Sequence, residues 1–354
     1  MKGDFEPTRQ REPGREVRRD RRGSGVLTVL VSLLAAVSAV AYVFSCPLPK
    51  ESPGVTVYVT PGLSMSQVAE LLSQNRVIRS PGAFRILSRL AAADSRVQSG
   101  EYRFEPGIFA WDVLKSLVQG RVVYYSLTVR EGLTIEEIAA LVEERSFGDR
   151  GKFLEVAKDL SLLPAFVSKD DVKEAKYPLE GYLFPDTYYV RKGMSEKDIV
   201  LMMLKRTSQV FSADVLAQIR QMGMTPHEVA TLASIVEKEA FVPSERATIA
   251  AVYLNRLQIG MKLDADPTVV YAIGERSGYS LKYKDLEIDS PYNTYKNTGL
   301  PPGPIGNFGE DSLKAVLHPD KVDYLYFVAK ADGTHAFAKT LSEHNRNVAI
   351  YQPN

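Results

Sequence analysis

"VTPGLSMSQVAELL" runs from Val59 to Leu72, and seventy residues later "VREGLTIEEIAALV" repeats its plan from Val129 to Val142. The two align without gaps, matching Val59 with Val129, Gly62 with Gly132, Leu63 with Leu133, Ala69 with Ala139 and Leu71 with Leu141. Each copy follows a β-prone run (Val55 to Val59; Val122 to Val129), turns at a glycine, sets Ser or Thr at a helix start, and then spaces its apolar residues at helical intervals. The pattern predicts a strand, a tight turn and an amphipathic helix, twice. Two copies are too few for a solenoid, so the repeat predicts two related β-α modules within residues 55–145.

Upstream lies "GVLTVLVSLLAAVSAVAYVFS", Gly25 to Ser45, which carries no charge and is long enough to cross a bilayer as a helix. The 24 residues before it hold eight Lys or Arg against five acids, and the basic excess on that side predicts a cytoplasmic N-terminus (1–24), a transmembrane helix (25–45) and an exported remainder. A cleaved signal peptide is the competing reading. It fits less well, because the charged segment and the apolar run both exceed the usual lengths. Cys46 is the only cysteine, so the exported part has no disulfide and its core must stand alone. A lipid-modified Cys46 would want a small residue where Phe44 stands. The stretch 46–54, "CPLPKESPG", reads as a linker.

The chain has 354 residues, 45% hydrophobic and 25% charged, a folded composition with room for two or three domains. Its formal net charge is +1, and with the N-terminal excess set aside the remainder is slightly acidic. No basic stripe marks a nucleic-acid partner. Further on, "EGYLFPDTYYV" from Glu180 groups aromatics around Pro185; Tyr182 and Phe184 either stack on sugar rings or fill the core.

At Thr225, "TPHE" is a capping box with Pro at the first helical position, so a helix starts there. It runs into "TLASIVEKEA", Thr231 to Ala240. At 100° per residue, Val229, Leu232, Ala233, Ile235, Val236 and Ala240 form one apolar stripe; Glu239 falls between Ile235 and Leu232, Glu237 at the far edge, and Lys238 toward water. Residues two apart point to opposite sides, so the two glutamates cannot share one bond as acid and base. Glu239 is the better general acid, since apolar neighbours raise a carboxyl pKa. The alternative is a structural carboxylate bonded to Arg246 or Arg256.

The remaining segments are rich in Asn, Thr, Tyr and Gly-Pro turns, a composition suited to holding a polar substrate. Taken in order, "EGYLFPDTY", "LASIVEKEA", "NRL" followed by "GMKLDADPTVVY", "YNTY" followed by "GLPPGPI", and "YLYFV" closely resemble the MltG-like (YceG-like) endolytic murein transglycosylases from Val55 to the C-terminus. Ala240 departs from the Thr expected after the second glutamate. The β-turn-α repeat resembles LysM-type modules that grip wall glycans; a small α/β unit without a ligand is its alternative.

The resemblance implies a single-pass enzyme of the inner membrane that cuts nascent peptidoglycan strands internally, between N-acetylmuramic acid and N-acetylglucosamine. It also implies that Glu239 acts alone, first as general acid and then as base, leaving a 1,6-anhydro end where a two-carboxylate hydrolase would leave a reducing end. The expected fold is α+β: a transmembrane helix, small LysM-like β-α modules, and a mixed α/β catalytic domain over 146–354 with the catalytic Glu on a helix. Asn255, Asp266, Thr268, Tyr271, Asn293, Thr294 and Tyr295 are the candidates for positioning substrate, and "GLPPGPI" (Gly299 to Ile305) for a rigid cleft wall or a plain loop. The histidines, His227, His318, His335 and His344, lack ligand spacing, so neither metal nor cofactor is expected. Expected partners are glycan strands, the membrane and peptidoglycan synthases. The reading from another class is an anchored, non-catalytic wall-binding or scaffold protein.

Overall fold

A computed structural model describes residues 21–49, 51–274 and 281–352; most of the basic segment 1–24 lies outside them. Packing divides the chain into two units, the first ending at Val122 and the second beginning at Val123.

The first unit opens with α1 (Arg21–Phe44), whose stretch Val26–Phe44 has a mean hydropathy of 2.4 and is not buried at all. It is long and apolar enough to cross a membrane. Then follow β1 (Val55–Val59), α2 (Met65–Gln74), α3 (Pro81–Leu90), β2 (Gly100–Phe104) and α4 (Ala110–Gln119). β1 and β2 pair antiparallel with Val57 opposite Tyr102. Their inward residues, Val57, Val59, Tyr102 and Phe104, meet Val68, Leu72, Phe84, Val113 and Leu117 from the helices in one core. The turn after β1 needs Gly62 at φ +84°, and Ser64 then caps α2 in a reciprocal box with Gln67.

The second unit begins in the same way. After β3 (Tyr125–Val129), Gly132 sits at φ +79°, Thr134 and Glu137 form the box, and α5 (Ile135–Glu144) follows. Even the helix exits match, through Arg76 at φ +58° and Ser146 at φ +57°. The sequence grouped both copies within 55–145, but they seed different units. The second copy, with α6 (Arg150–Val156) after it, pairs β3 with β4 (Asp186–Val190), and Leu127, Val129, Ile135, Ile138 and Val142 enter the core of the larger unit. Beyond β4 come α7 (Glu196–Val210), α8 (Ala213–Gln221), α9 (Pro226–Glu239), α10 (Arg246–Gln258), α11 (Asp266–Ile273) and α12 (Glu310–Leu317). The hairpin of β5 (Tyr326–Ala329) and β6 (His335–Ala338) follows, and α13 (Leu341–Tyr351) closes the chain. The fold is mixed α and β, its sheets all two-stranded among the described residues.

α9 is the axis of the larger core. It packs against α8, α10, α11 and α12, and Val229 to Val236 are buried without interruption, Thr231 and Ser234 included. Those two hydroxyls bond to backbone carbonyls of His227 and Thr231, which is how a helix with polar residues can be enclosed on every side. Lys238, expected to face water, is mostly buried: its stem lies against Gly132 and Gly306, and burial lowers its pKa. The wheel assumed a solvent face where the turn at Gly132 and the loop at Gly306 pack instead. Tyr182 and Phe184 are buried and belong to the core. "GLPPGPI" packs along α9, with His227 Nε2 2.9 Å from the Pro302 carbonyl and the Ile305 amide donating to Ser234 Oγ at 3.0 Å.

Candidate active site

The two glutamates part company at the end of α9. Glu237 is enclosed by α12: its Oε2 accepts from the Gly309 amide at 2.9 Å and from Ser312 Oγ at 2.8 Å, and Oε1 meets Arg246 at 3.4 Å. It caps a helix N-terminus, where a carboxylate also offsets the helix dipole. Arg246, one of the two arginines weighed as a structural partner for Glu239, pairs with Glu237 instead.

Glu239 is the last residue of α9 and points elsewhere. Tyr253 of α10 donates its hydroxyl to Glu239 Oε1 at 2.9 Å, and Oε2 has no hydrogen bond among the described residues. Part of the side chain is reached from a cavity of about 450 Å³, lined also by Tyr253, Arg256, Asp264, Asp266, Tyr295 and the β5–β6 hairpin. Burial raises the Glu239 pKa to about 7; the Tyr253 bond and Arg256 pull it down, and Asp266 pushes it up. Arg256 does not close on Glu239. Its guanidinium is held by the carbonyls of Leu325, Lys262 and Leu263 and by Asp264 Oδ2. The cavity therefore presents a carboxyl that burial helps to keep protonated, beside a fixed cation and the Asp266 side chain, which accepts from Tyr295 Oη at 2.6 Å. Such a group can give a proton and take one back.

Of the seven positioning candidates, Asp266 and Tyr295 stand on this cavity with Glu239. Asn255 ties α10 to the carbonyls of Val322 and Tyr324. Thr268 and Thr294 bond each other, at 2.9 Å, and the backbone of Ala265. Asn293 holds the carbonyls of Leu286 and Ile288 and the Tyr295 amide. Thr268, Asn293 and Thr294 build the loop that sets Asp266 and Tyr295, while Asn255 fixes the segment before β5. Tyr271 faces away and donates to Glu180 Oε2 at 3.1 Å. The segment Gly299–Ile305 does not line the cavity.

Glu180 is a second buried carboxylate, which the motif "EGYLFPDTY" gave no reason to single out. It accepts from the Ile135 amide at the start of α5, from Tyr271 and from Asn307 Nδ2, and burial raises it to about 8. Tyr253 was missed because "AAVYLNRL" reads as core; only its hydroxyl reaches the site. His335 was dismissed with the other histidines, yet it lines the cavity, with Nδ1 2.8 Å from Glu245 Oε2.

The repeat carries its own concavity twice. Tyr58, Thr60, Leu63, Gln67, Glu70 and Leu71 line a groove in the first unit. Thr128, Arg130, Leu133, Glu137, Ala140 and Leu141, the same positions seventy residues on, line one in the second.

A model of the YceG-like family matches residues 57–350. The chain belongs to the YceG-like family. It is 40% identical over 311 residues to the endolytic murein transglycosylase of Bacillus subtilis, covering 85% of this chain and 86% of that protein. It is 30% identical over 343 residues to the endolytic murein transglycosylase of Streptococcus pneumoniae, covering 87% of this chain but 61% of that longer protein. A crystal structure of a YceG-like protein from Listeria monocytogenes is 38% identical, superposes with a TM-score of 0.59, and covers 84% of this chain and 99% of its own. In this YceG-like chain the matched residues span both units, so both copies of the repeat and the Glu239 cavity fall within the family's extent.

Proposed function

We propose that this YceG-like chain is an endolytic murein transglycosylase, a lyase that cuts peptidoglycan glycan strands internally, with Glu239 as its single acid and base. The observation that carries the residue assignment is the geometry of Glu239: largely enclosed, raised to about 7 by burial, held at Oε1 by Tyr253, and lining the cavity. The protonated carboxyl gives its proton to the glycosidic oxygen between N-acetylmuramic acid and N-acetylglucosamine as the C1–O bond breaks. The carboxylate left behind takes the proton of the muramyl 6-hydroxyl, O6 closes on C1, and the 1,6-anhydro end forms without water. Asp266, fixed by Tyr295, supplies negative charge beside the oxocarbenium ion, and Tyr253 keeps the carboxyl in place between the two transfers. A non-catalytic wall-binding protein is disfavoured, because its relatives are named as transglycosylases.

The division of labour follows the repeat. The two β-α modules act as LysM-like grips on the strand, the first in the smaller unit and the second built into the unit that carries Glu239, a reading supported by the duplicated groove. α1 anchors the chain, with the basic N-terminus in the cytoplasm and the remainder outside, where peptidoglycan synthases deliver new strands.

The test is a pair of substitutions on glycan strands, with product ends read by mass. Glu239→Gln keeps the shape but cannot cycle a proton, so anhydro products disappear while the fold is kept. Its melting temperature rises, because at alkaline pH the ionised wild-type carboxylate costs about 3 kcal/mol for a pKa moved from 4.5 to about 7. Glu237→Gln retains cleavage. An active Glu239→Gln protein beside a dead, folded Glu237→Gln protein exchanges the two roles, and reducing ends in place of anhydro ends make the enzyme a hydrolase.

A further inference from the structure

The stretch read as a linker, 46–54, starts packed. Ser45, the first beyond α1, bridges Phe109 through the backbone, and Cys46 is buried with Sγ against the Arg76 carbonyl. Arg79 clamps the helix end: Nε donates to Ser45 Oγ at 3.1 Å, Nη1 to the Tyr42 hydroxyl at 3.2 Å, and the guanidinium lies 4.1 Å from the Tyr42 ring centre. α3 also packs on α1. The first module is thus seated on the end of the apolar helix.

The two elements that meet this seat, α3 and the Phe109 segment leading into α4, expose large apolar side chains. Phe109 is 52% exposed, Trp111 55%, Ile86 60% and Leu90 82%. On α3, Arg85, Arg89, Ile86 and Leu90 share an arc of roughly 140° at 100° per residue, opposite the buried Phe84 and Ser88. Nothing else among the described residues of this unit covers them. Trp111 lies two residues from Phe109, so at 3.3–3.6 Å per residue it stands within about 7 Å of the residue that bridges the end of α1. Tryptophan and large apolar side chains flanked by arginine at the end of a membrane span are what the boundary between headgroups and acyl chains accommodates.

We propose that this face of the first unit lies on the outer leaflet, with Trp111, Phe109, Ile86 and Leu90 in the headgroup–acyl boundary and Arg85 and Arg89 on phospholipid phosphates. The inference rests on α1 spanning the membrane. Continuity with the span favours lipid over a protein partner, because Phe109 bridges the residue after α1 and α3 packs on α1. The arginines complete the match, and Arg85 also borders the groove of the first repeat. That groove then opens beside the lipid surface, at the height where new strands emerge.

Trp111 is the only tryptophan, so the full chain reports on itself. The protein is reconstituted in liposomes containing anionic phospholipid and recovered by flotation. Intrinsic fluorescence is then measured with aqueous iodide and with phospholipids brominated near the headgroup end of their chains. The expected result is protection from iodide together with quenching by bromolipid. Each arginine near an anionic surface contributes about fivefold to docking, so Arg85→Gln with Arg89→Gln shifts the balance toward iodide access by roughly 25-fold. Protein that floats while iodide reaches Trp111 overturns the proposal. Protection from iodide without bromolipid quenching also overturns it, because a protein surface then covers the patch. Failure to float removes the membrane anchor itself and this inference with it, leaving the chemistry of Glu239 untouched.

Discussion

Replacing Tyr253 by Phe removes one buried hydroxyl and leaves the ring in place against Phe327, 5.8 Å away edge to face. The lost bond is the only one the Glu239 side chain makes among the described residues, and it favours the ionised carboxylate. A hydrogen bond to a charged group is worth about 1.5–3 kcal/mol and one to a neutral group about 0.5–1.5, so the difference is on the order of 1 kcal/mol, a little under one pH unit. Glu239, already at about 7, rises further. With Glu239 as the proposed acid, the wild-type rate should be limited on its alkaline side by loss of that proton, and the variant should keep the proton to higher pH. Its alkaline limb should move up by about one unit. The plateau should fall on the order of tenfold, since the carboxyl loses the contact that fixes it and becomes a weaker acid. The assay is the rate of appearance of 1,6-anhydro ends between pH 5 and 9, with near-ultraviolet circular dichroism to certify the fold. A folded Tyr253→Phe protein whose limb stays put or moves down refutes the reasoning, because Tyr253 would then not stabilise the ionised form.

Glu237→Ala should cost about 3–5 kcal/mol by chemical denaturation, since it strips the α12 cap and leaves the largely buried Arg246 without its carboxylate; a loss under about 1 kcal/mol contradicts the capping role. Stability should fall as pH rises. Glu239 at about 7 and Glu180 at about 8 both stand above the ordinary 4.5, so the folded state keeps protons that the unfolded chain releases. Their contribution is complete below about pH 4.5 and is lost through pH 7 to 8, and Glu180→Gln should flatten that slope. Urea midpoints across this window decide it, and a midpoint that climbs instead contradicts both burials.

The sequence by itself determined what neighbouring residues decide. Gly62 and Gly132 at their turns, the Ser64–Gln67 and Thr134–Glu137 boxes, and the Thr225–Glu228 box that opens α9 are contacts across a few residues, so their spacing is visible in the chain. The apolar stretch of α1 is legible for the same reason: composition alone makes it long enough to span. Tertiary structure decided the rest, and α9 shows why. A helical wheel places Glu237 and Glu239 on different sides but cannot say what stands on each side. The α12 N-terminus, more than seventy residues away, claims Glu237, while the Tyr253 hydroxyl and a cavity meet Glu239. The same limit sent Thr268, Asn293 and Thr294 inward to hold a loop, turned Tyr271 to Glu180, and left Asp266 and Tyr295 on the cavity. Polar residue types advertise hydrogen bonding. Only the packing of distant elements, which determines where water is excluded, fixes whether the partner is the protein's own backbone or an open cavity.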